Sequence, residues 1–402
     1  MIFQRNMHVR CLIDSRHFKL SEAPVTSINT PASSEASLSE AAPQAGLHEL
    51  PLNHNRVCPQ CRWPLTYAQA TGQLALRPIA IVGGPGVSKS HYIPVLLDQA
   101  KRRLRSTIPG FDVRAQETRE PGAAYSVCSD QLLSTRYGRL FSDEEMGTVI
   151  AKTPRSASHG DPRTPMIYRF TFPSALERFT GRKCVEFAFR DCAGEEFTEP
   201  GPLQEFHRYI TYSAGILLLV DPTTVPGLRE RLPRNQTAGR NESRPFEVDQ
   251  ILSRLIGLFE RVENTRIGKR IKTPLAIVLT KADLLRRLDC DAASMFCEPD
   301  SLHSKGFNYT DHLTQQNRLR QLLDQCGQGS ILSSVEANFE SAGIFAVSAL
   351  GHEPIIQATG TGGAVEQRIG RIQPWRVLDP LVWLFHRYGY VGKAKGMAPC
   401  IN

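Results

Sequence analysis

The 402-residue chain predicts an α/β fold built on a mostly parallel sheet of about six strands, and three observations carry that expectation. Short apolar runs recur along it: "IAIVG" (79–83), "MIYRFTF" (166–172), "VEFAFRD" (185–191), "GILLLVD" (215–221), "LAIVLT" (275–280) and "IFAVSA" (344–349). Several are continuous rather than alternating, as strands covered on both faces are. Between them lie stretches of helical period; in 246–264, Ile251, Leu255, Leu258, Phe259 and Val262 line one face. The first run also ends in a glycine-rich turn that opens a helix. Strand and helix in alternation imply parallel pairing with right-handed crossovers.

The chain divides as follows. Residues 1–20 form an N-terminal segment whose "MIFQRNMHVRCLIDSRHF" has no uninterrupted apolar core, so a secretory signal is not expected. Residues 21–50 are rich in Ser, Ala, Pro and Glu, with almost no large apolar side chain to bury, and read as a flexible linker. A small cysteine-bearing knuckle at 51–75 follows. The α/β domain takes 76–392, with a long insertion after its first helix (106–165) and a polar loop at 222–245, and 393–402 are a tail. There is no internal repeat. No window is apolar enough for a membrane span. Ten cysteines without a disulfide rhythm fit a reducing cytoplasm. The formal charge of +8 is densest in "KRRLR" (101–105) and "RIGKRIK" (266–272). Both interleave with apolar residues and offer no aromatic platform, so solvated helix ends are favoured over a nucleic-acid surface.

Four motifs follow in order, each at the C-terminal end of an expected strand, where ligands sit in open α/β sheets. "GGPGVSKS" (83–90) reads as a phosphate-binding loop: Gly83, Gly84 and Gly86 let the backbone approach phosphate oxygens, Lys89 reaches the β- and γ-phosphates, and the Ser90 hydroxyl is a candidate Mg²⁺ ligand. In "FRDCAGEEF" (189–197), Asp191 is placed to hold Mg²⁺ through water and Gly194 N–H to meet a γ-phosphate. In "LTKADLL" (279–285), the Asp283 carboxylate can accept the paired N–H groups of a guanine edge, with the Lys281 stem along the base. "VSALG" (347–351) brings Ser348 and offers the Ala349 N–H to guanine O6. Taken singly, these are also a strand-to-helix turn, a strand-ending turn and a helix start capped by Asp.

Together they resemble the translation-factor-related (Ras-like, TRAFAC) P-loop GTPases, whose G-x-x-x-x-G-K-[ST], D-x-x-G, [NT]-K-x-D and S-A-[KL] motifs come in this order; the resemblance covers about 78–350. A narrower likeness, in "GVSKSHYI", "DCAGEEF", "RYITYSAGILLLVDP" and "RVLDPLVWLFHRYGYV", is to the bacterial double-GTPase or conflict-system GTPases. The resemblance implies the three-layer P-loop NTPase fold, GTP or GDP with Mg²⁺ as ligands, and a cytoplasmic molecular switch read by a protein effector or a partner GTPase. It also implies a switch threonine, for which Thr153 suits the narrower group and Thr164 the Ras-like spacing, and a place among the nucleotide-binding residues for Thr280, a tolerated replacement of the usual Asn.

Two departures bear on activity. Ser88 stands where the family has a glycine, so a Cβ and a hydroxyl enter the loop. Glu195 stands where Ras-like proteins place the water-orienting glutamine; a carboxylate accepts from water but is repelled by a γ-phosphate, so slow hydrolysis is expected. The alternative is an inert scaffold of the same fold.

"VCPQCRW" (57–63) has the turn that presents two thiolates, Cys58 and Cys61, to one zinc. Two further ligands would come from His8 and Cys11, or from His17, His48 or His54; otherwise the pair is a remnant or two thiols. Cys184 and Cys192 read as packing residues. In the C-terminal "PWRVLDPLVWLFHRYGYV", Val377, Leu381, Leu384 and Phe385 share a helical face that closes the sheet or, on a sharper reading, binds a partner, and His386 reads as a surface residue.

Overall fold

The computed structural model describes residues 8–10, 17–19, 22, 56, 58–59, 65–71, 74–118, 127–140, 147–148, 165–173, 183–191, 209–232, 248–263, 269–288, 306–353, 355–359 and 364–394. Its main sheet is α/β and mostly parallel. The strands are β1 (Ala75–Gly83), β2 (Asp112–Ala115), β3 (Met166–Phe172), β4 (Lys183–Asp191), β5 (Gly215–Val220), β6 (Leu275–Leu279) and β7 (Ala342–Ala346), and their order across the sheet is β7-β6-β5-β1-β4-β3-β2. The five strands from β7 to β4 run parallel, whereas β3 and β2 are antiparallel additions at one edge. All six expected strands are present. The seventh, β2, comes from the long insertion at 106–165; its "DVRA" is too short and polar to stand out as a strand.

Burial explains the continuous apolar runs. Every residue of β5 and β6 is buried, because helices cover both faces. On one face, Ile79 and Ile81 of β1 pack with α1 (Lys89–Gln99), α2 (Ser129–Tyr137) and the final helix. On the other, Ala80 and Val82 pack with α3 (Val248–Glu263), the C-terminal half of α4 (Tyr309–Gln325), and α5 (Gly329–Asn338). In α3, the expected Ile251, Leu255, Leu258 and Phe259 are buried and Val262 is half-buried. The final helix, α6 (Asp379–Arg387), closes the first face. Phe385 meets Phe172 at 4.9 Å and Phe187 at 5.2 Å between ring centroids, part of a dry aromatic cluster. Val382 and Trp383 are buried as well, so the apolar residues 381–385 of α6 are covered on every side rather than on one face.

Other expectations are corrected. The loop at 222–245 begins with structure: a 3₁₀ turn, Pro222–Thr224, leads into a short helix, Pro226–Arg231. Asp221 caps the turn by accepting from Thr223 N, and prolines at the start of both pieces fit their first turns. His386 is not simply at the surface: it is half-buried, its ring stacks on Phe307 at 5.0 Å, and its Nδ1 lies 3.0 Å from Val391 O. The "KRRLR" run meets carboxylates of its own chain, Lys101 with Asp130 at 2.5 Å and Arg102 with Asp98 at 2.8 Å. After β7 comes a hairpin, β8 (Ile355–Thr359) and β9 (Ala364–Ile369). Near the N-terminus, His8–Arg10 and His17–Lys19 pair antiparallel. Cys58 is buried and Cys184 half-buried, whereas Cys11, His48, His54, Cys61 and Cys192 lie outside the described residues, as does the linker at 21–50 apart from Glu22. No helix among the described residues is long and apolar enough to cross a membrane.

Candidate functional site

The phosphate-type loop leaves β1 at Gly83, in mid-sheet beside β5 with Leu219 as its partner. A Cβ at Gly83 would lie 2.7 Å from Leu219 O, so only glycine allows the strands to stay together there. The chain then turns and starts α1 at Lys89. The Lys89 ammonium is buried and donates to Gly83 O at 2.7 Å and Gly84 O at 3.0 Å, which curls the loop around a positive charge. Ser88 is the N-cap, at φ 65° and ψ 28°, and its side chain makes no capping hydrogen bond. The position is therefore left-handed, where a Cβ costs roughly 1–2 kcal/mol and glycine costs nothing sterically. Ser90 sits half-buried in the first turn, where main-chain N–H groups and the helix dipole favour an anion. Beside it is His91, whose Nε2 is buried without a hydrogen-bond partner among the described residues. Burial first, and the Lys281 charge second, push its pKa down to about 4.

Two strands away, the expected base-reading motif leaves β6. Thr280 donates from both N (2.8 Å) and Oγ1 (3.1 Å) to Val220 O, tying the turn to the end of β5. Lys281 follows at φ 51°, and that left-handed step throws its side chain back across the sheet end. Its Nζ donates to Gly86 O at 3.0 Å and pairs with Asp221. One lysine therefore touches the phosphate-type loop and the base-side turn together. Asp221 is 4% exposed and also accepts from Thr223 N (2.9 Å) and Oγ1 (2.8 Å). Burial alone would raise its pKa; the Lys281 charge and these hydrogen bonds outweigh that and hold it below the ordinary carboxylate value.

Asp283 is positioned by Ser348. The buried Ser348 hydroxyl donates to Asp283 Oδ1 at 2.5 Å and accepts from Gly351 N at 2.9 Å. The turns also join through their backbones, Ala282 N donating to Val347 O at 3.0 Å. Ala349 is buried on the same turn. Gly83, Gly86, Ser88, Lys89, Ser90, Thr280, Lys281, Asp283, Ser348 and Ala349 thus lie at the C-terminal ends of β1, β6 and β7. Asp191 ends β4 beside β1, with Ile81 as its partner, on that same edge; its side chain lies outside the described residues. Thr153, Thr164, Gly194 and Glu195 lie outside them too. Among the described residues, no group of three or more His, Cys, Asp or Glu side chains is gathered for a metal ion.

Chemically, the edge combines a buried ammonium wrapped by glycine-rich backbone with a half-buried carboxylate aimed by a serine, and a second lysine joins the glycine-rich loop to Asp221 at the end of β5. Such an arrangement suits an anion at one end and a flat, donor-rich ring at the other. Sequence reasoning missed Asp221 and His91. The aspartate ending "GILLLVD" was legible as a strand end, and its partner is 60 residues away in sequence.

No family model matches the chain, and no curated protein matches it. Solved structures similar to it include these two. One is the G domain of the T. maritima FeoB iron transporter, with 9% identity and a TM-score of 0.28, covering 78% of this chain and 99% of that one. The other is the signal recognition particle receptor SRb-GTP/SRX complex from Chaetomium thermophilum, with 9% identity and a TM-score of 0.27, covering 70% of this chain and 94% of that one. Likenesses at these scores carry no functional argument, which rests on the geometry above.

Proposed function

We propose that the chain is a guanine-nucleotide-binding P-loop protein acting as a cytoplasmic molecular switch. The observation that carries this reading is the gathering at one sheet edge of Lys89 in its loop, Lys281 on Gly86 O, and the Ser348–Asp283 pair. These residues fit the nucleotide: Lys89 presents a cation to phosphate, and Asp283 keeps Oδ2 beside the serine-held Oδ1 for the N1 and N2 donors of guanine. The Ser90 hydroxyl and the Asp191 carboxylate are the residues that would hold Mg²⁺, which neutralises phosphate charge when bound. The domain would take 76–392. Segments around Thr153 and Gly194 would be ordered by a γ-phosphate and read by a protein effector or partner GTPase. Glu195 supports slow hydrolysis, since its charge opposes the γ-phosphate. Zinc on Cys58 and Cys61 is a separate element of the proposal, checked by metal analysis of untagged protein.

Calorimetric titration with GDP, a non-hydrolysable GTP analogue and ADP, each with Mg²⁺, tests the reading. Guanine nucleotides are expected to bind at least about tenfold more tightly than ADP, the worth of one well-made hydrogen-bond match. Equal binding of ADP and GDP would end the assignment of Asp283. A second reading, an inert scaffold of this fold, is favoured by the left-handed Ser88 in the phosphate-type loop. It predicts no heat with any nucleotide.

A further inference from the structure

The base-side turn is held from behind by a segment with no part in the motifs. Trp375 N donates to Ser348 O at 2.8 Å, Ser348 N donates to Trp375 O at 3.0 Å, and Gln373 N donates to Leu350 O at 2.8 Å. The backbone of Ser348 is thus fixed on both sides while its hydroxyl serves Asp283. The fit is close: a Cβ on Gly351, at φ 82°, would stand 2.1 Å from Gln373 O. The Trp375 ring in turn faces the Arg286 guanidinium at 3.7 Å, and Arg286 lies three residues beyond Asp283. Segment 373–375 therefore grips both turns that aim the carboxylate.

Arg376 anchors that segment. It is 4% exposed and left-handed at φ 49°. Its guanidinium pairs with Asp311 at the start of α4, and its Nε donates to Asp379 Oδ2 of α6 at 2.8 Å. Both carboxylates are buried. A buried guanidinium at a strained backbone angle is poorly explained by stability alone, since apolar residues fill such space more favourably. What the triad does achieve is direction: it turns the chain between the Ser348 bridge and α6 and pins it to two helices.

We propose that Arg376, held by Asp311 and Asp379, is a positioning residue for base recognition, fixing segment 373–375 so that Ser348 keeps Asp283 in its binding orientation. The inference rests on the guanine-nucleotide reading above. It assigns that site a support from α4 and α6, outside all four motifs, through which a change at those helices would reach the base.

Asp311→Asn is the first test, because it removes one charge from the triad, keeps the shape and leaves Asp379 in place. Amide exchange is followed at Ser348 and Trp375 in nucleotide-free protein, and affinity is measured for GDP and for IDP, which lacks the N2 amine. The expected result is roughly tenfold faster exchange at both amides with protection in β5 unchanged, and a GDP-over-IDP preference falling from roughly tenfold toward unity. Should Asp311→Asn fail to fold, Trp375→Leu keeps the triad and removes the Arg286 contact, and is expected to lower the same preference. Unchanged exchange and an unchanged preference in a protein that binds GDP would overturn the positioning role. Failure of the unaltered protein to bind GDP would instead overturn the nucleotide reading, a result the exchange data cannot imitate.

Discussion

The two ends of the candidate site hold their functional groups by opposite means. On the phosphate side, the bracing runs from lysine ammonium groups to backbone carbonyls: Lys89 gathers Gly83 O and Gly84 O, Lys281 holds Gly86 O, and Ser88 caps α1 without a side-chain hydrogen bond. On the base side, nearly every group is held by another side chain, Asp283 by Ser348, Lys281 by Asp221, and Asp221 by Thr223. On the proposed guanine-nucleotide reading, the difference follows from what each end would present. Phosphate is recognised by bare N–H groups that need room, whereas a ring edge is recognised by one carboxylate that needs aim. Each end nonetheless contains a left-handed residue that is not glycine, Ser88 on one side and Lys281 on the other. The strain at Lys281 is offset by its ion pair and its bond to Gly86; no comparable bond supports Ser88 in its capping role.

Removing Lys89 should break the phosphate side most severely. Lys89→Ala takes away the ammonium that organises the loop, and nucleotide affinity should fall by about 100-fold, the ~3 kcal/mol at the top of the range for a charged hydrogen bond. Circular dichroism would show the fold retained; unchanged affinity in such a protein would reduce the loop to an ordinary turn.

The base-side bracing is tested next at Asp221. Asp221→Asn leaves the Lys281 ammonium without its charge partner and should destabilise the protein by about 2 kcal/mol, less than a fully buried pair because Lys281 is partly exposed. The folded-state pKa of Asp221 is depressed, so its contribution is whole above the ordinary carboxylate value and disappears as pH falls through the lower folded value. Urea unfolding at neutral pH and at pH values below the ordinary carboxylate range should show the variant and the parent converging in acid. A constant gap would mean that the carboxylate charge is not what matters.

Asp283→Asn should weaken guanine nucleotides by about 1–2 kcal/mol and favour xanthine nucleotides, because one acceptor becomes a donor facing guanine N–H groups. The Ser348 hydroxyl can still donate to the amide oxygen, so thermal stability should hardly move. A large loss of stability with unchanged base preference would make Asp283 a structural residue.

The smallest effect is expected at Ser88. Ser88→Gly relieves the left-handed Cβ and should add about 1 kcal/mol to stability, less the greater entropy glycine loses on folding, while tightening nucleotide binding by a similar amount. Weaker binding would show that the hydroxyl serves the ligand and would bring the two ends closer in kind. Hydrolysis should stay slow in this variant, since Glu195 is unchanged.

The sheet was legible because continuous apolar runs report burial on both faces, and "GILLLV" and "LAIVL" are strands with every residue buried. The site's motifs were legible because each is a short, contiguous arrangement whose spacing encodes a turn. Lys89, Lys281, Asp283 and Ser348 could be named from their neighbours in sequence. Strand β2 could not, since "DVRA" owes its extended form to hydrogen bonds with β3 rather than to its own pattern.

Composition and local pattern therefore determined the α/β class, six of the strands, the final helix and the residues that meet at the sheet edge. Tertiary structure alone decided that Lys281 would reach Gly86 and Asp221, that Ser348 would aim Asp283, and that Arg376 would turn left-handed between Asp311 and Asp379. Apart from Arg376 and Asp379, which are three residues apart, the partners in these ion pairs and hydrogen bonds stand 60 to 195 residues apart along the chain. Periodicity and turn chemistry act over a few residues, and so encode which elements form. A bond between distant side chains exists only after the elements pack, when burial makes an unpaired polar group too costly to leave alone.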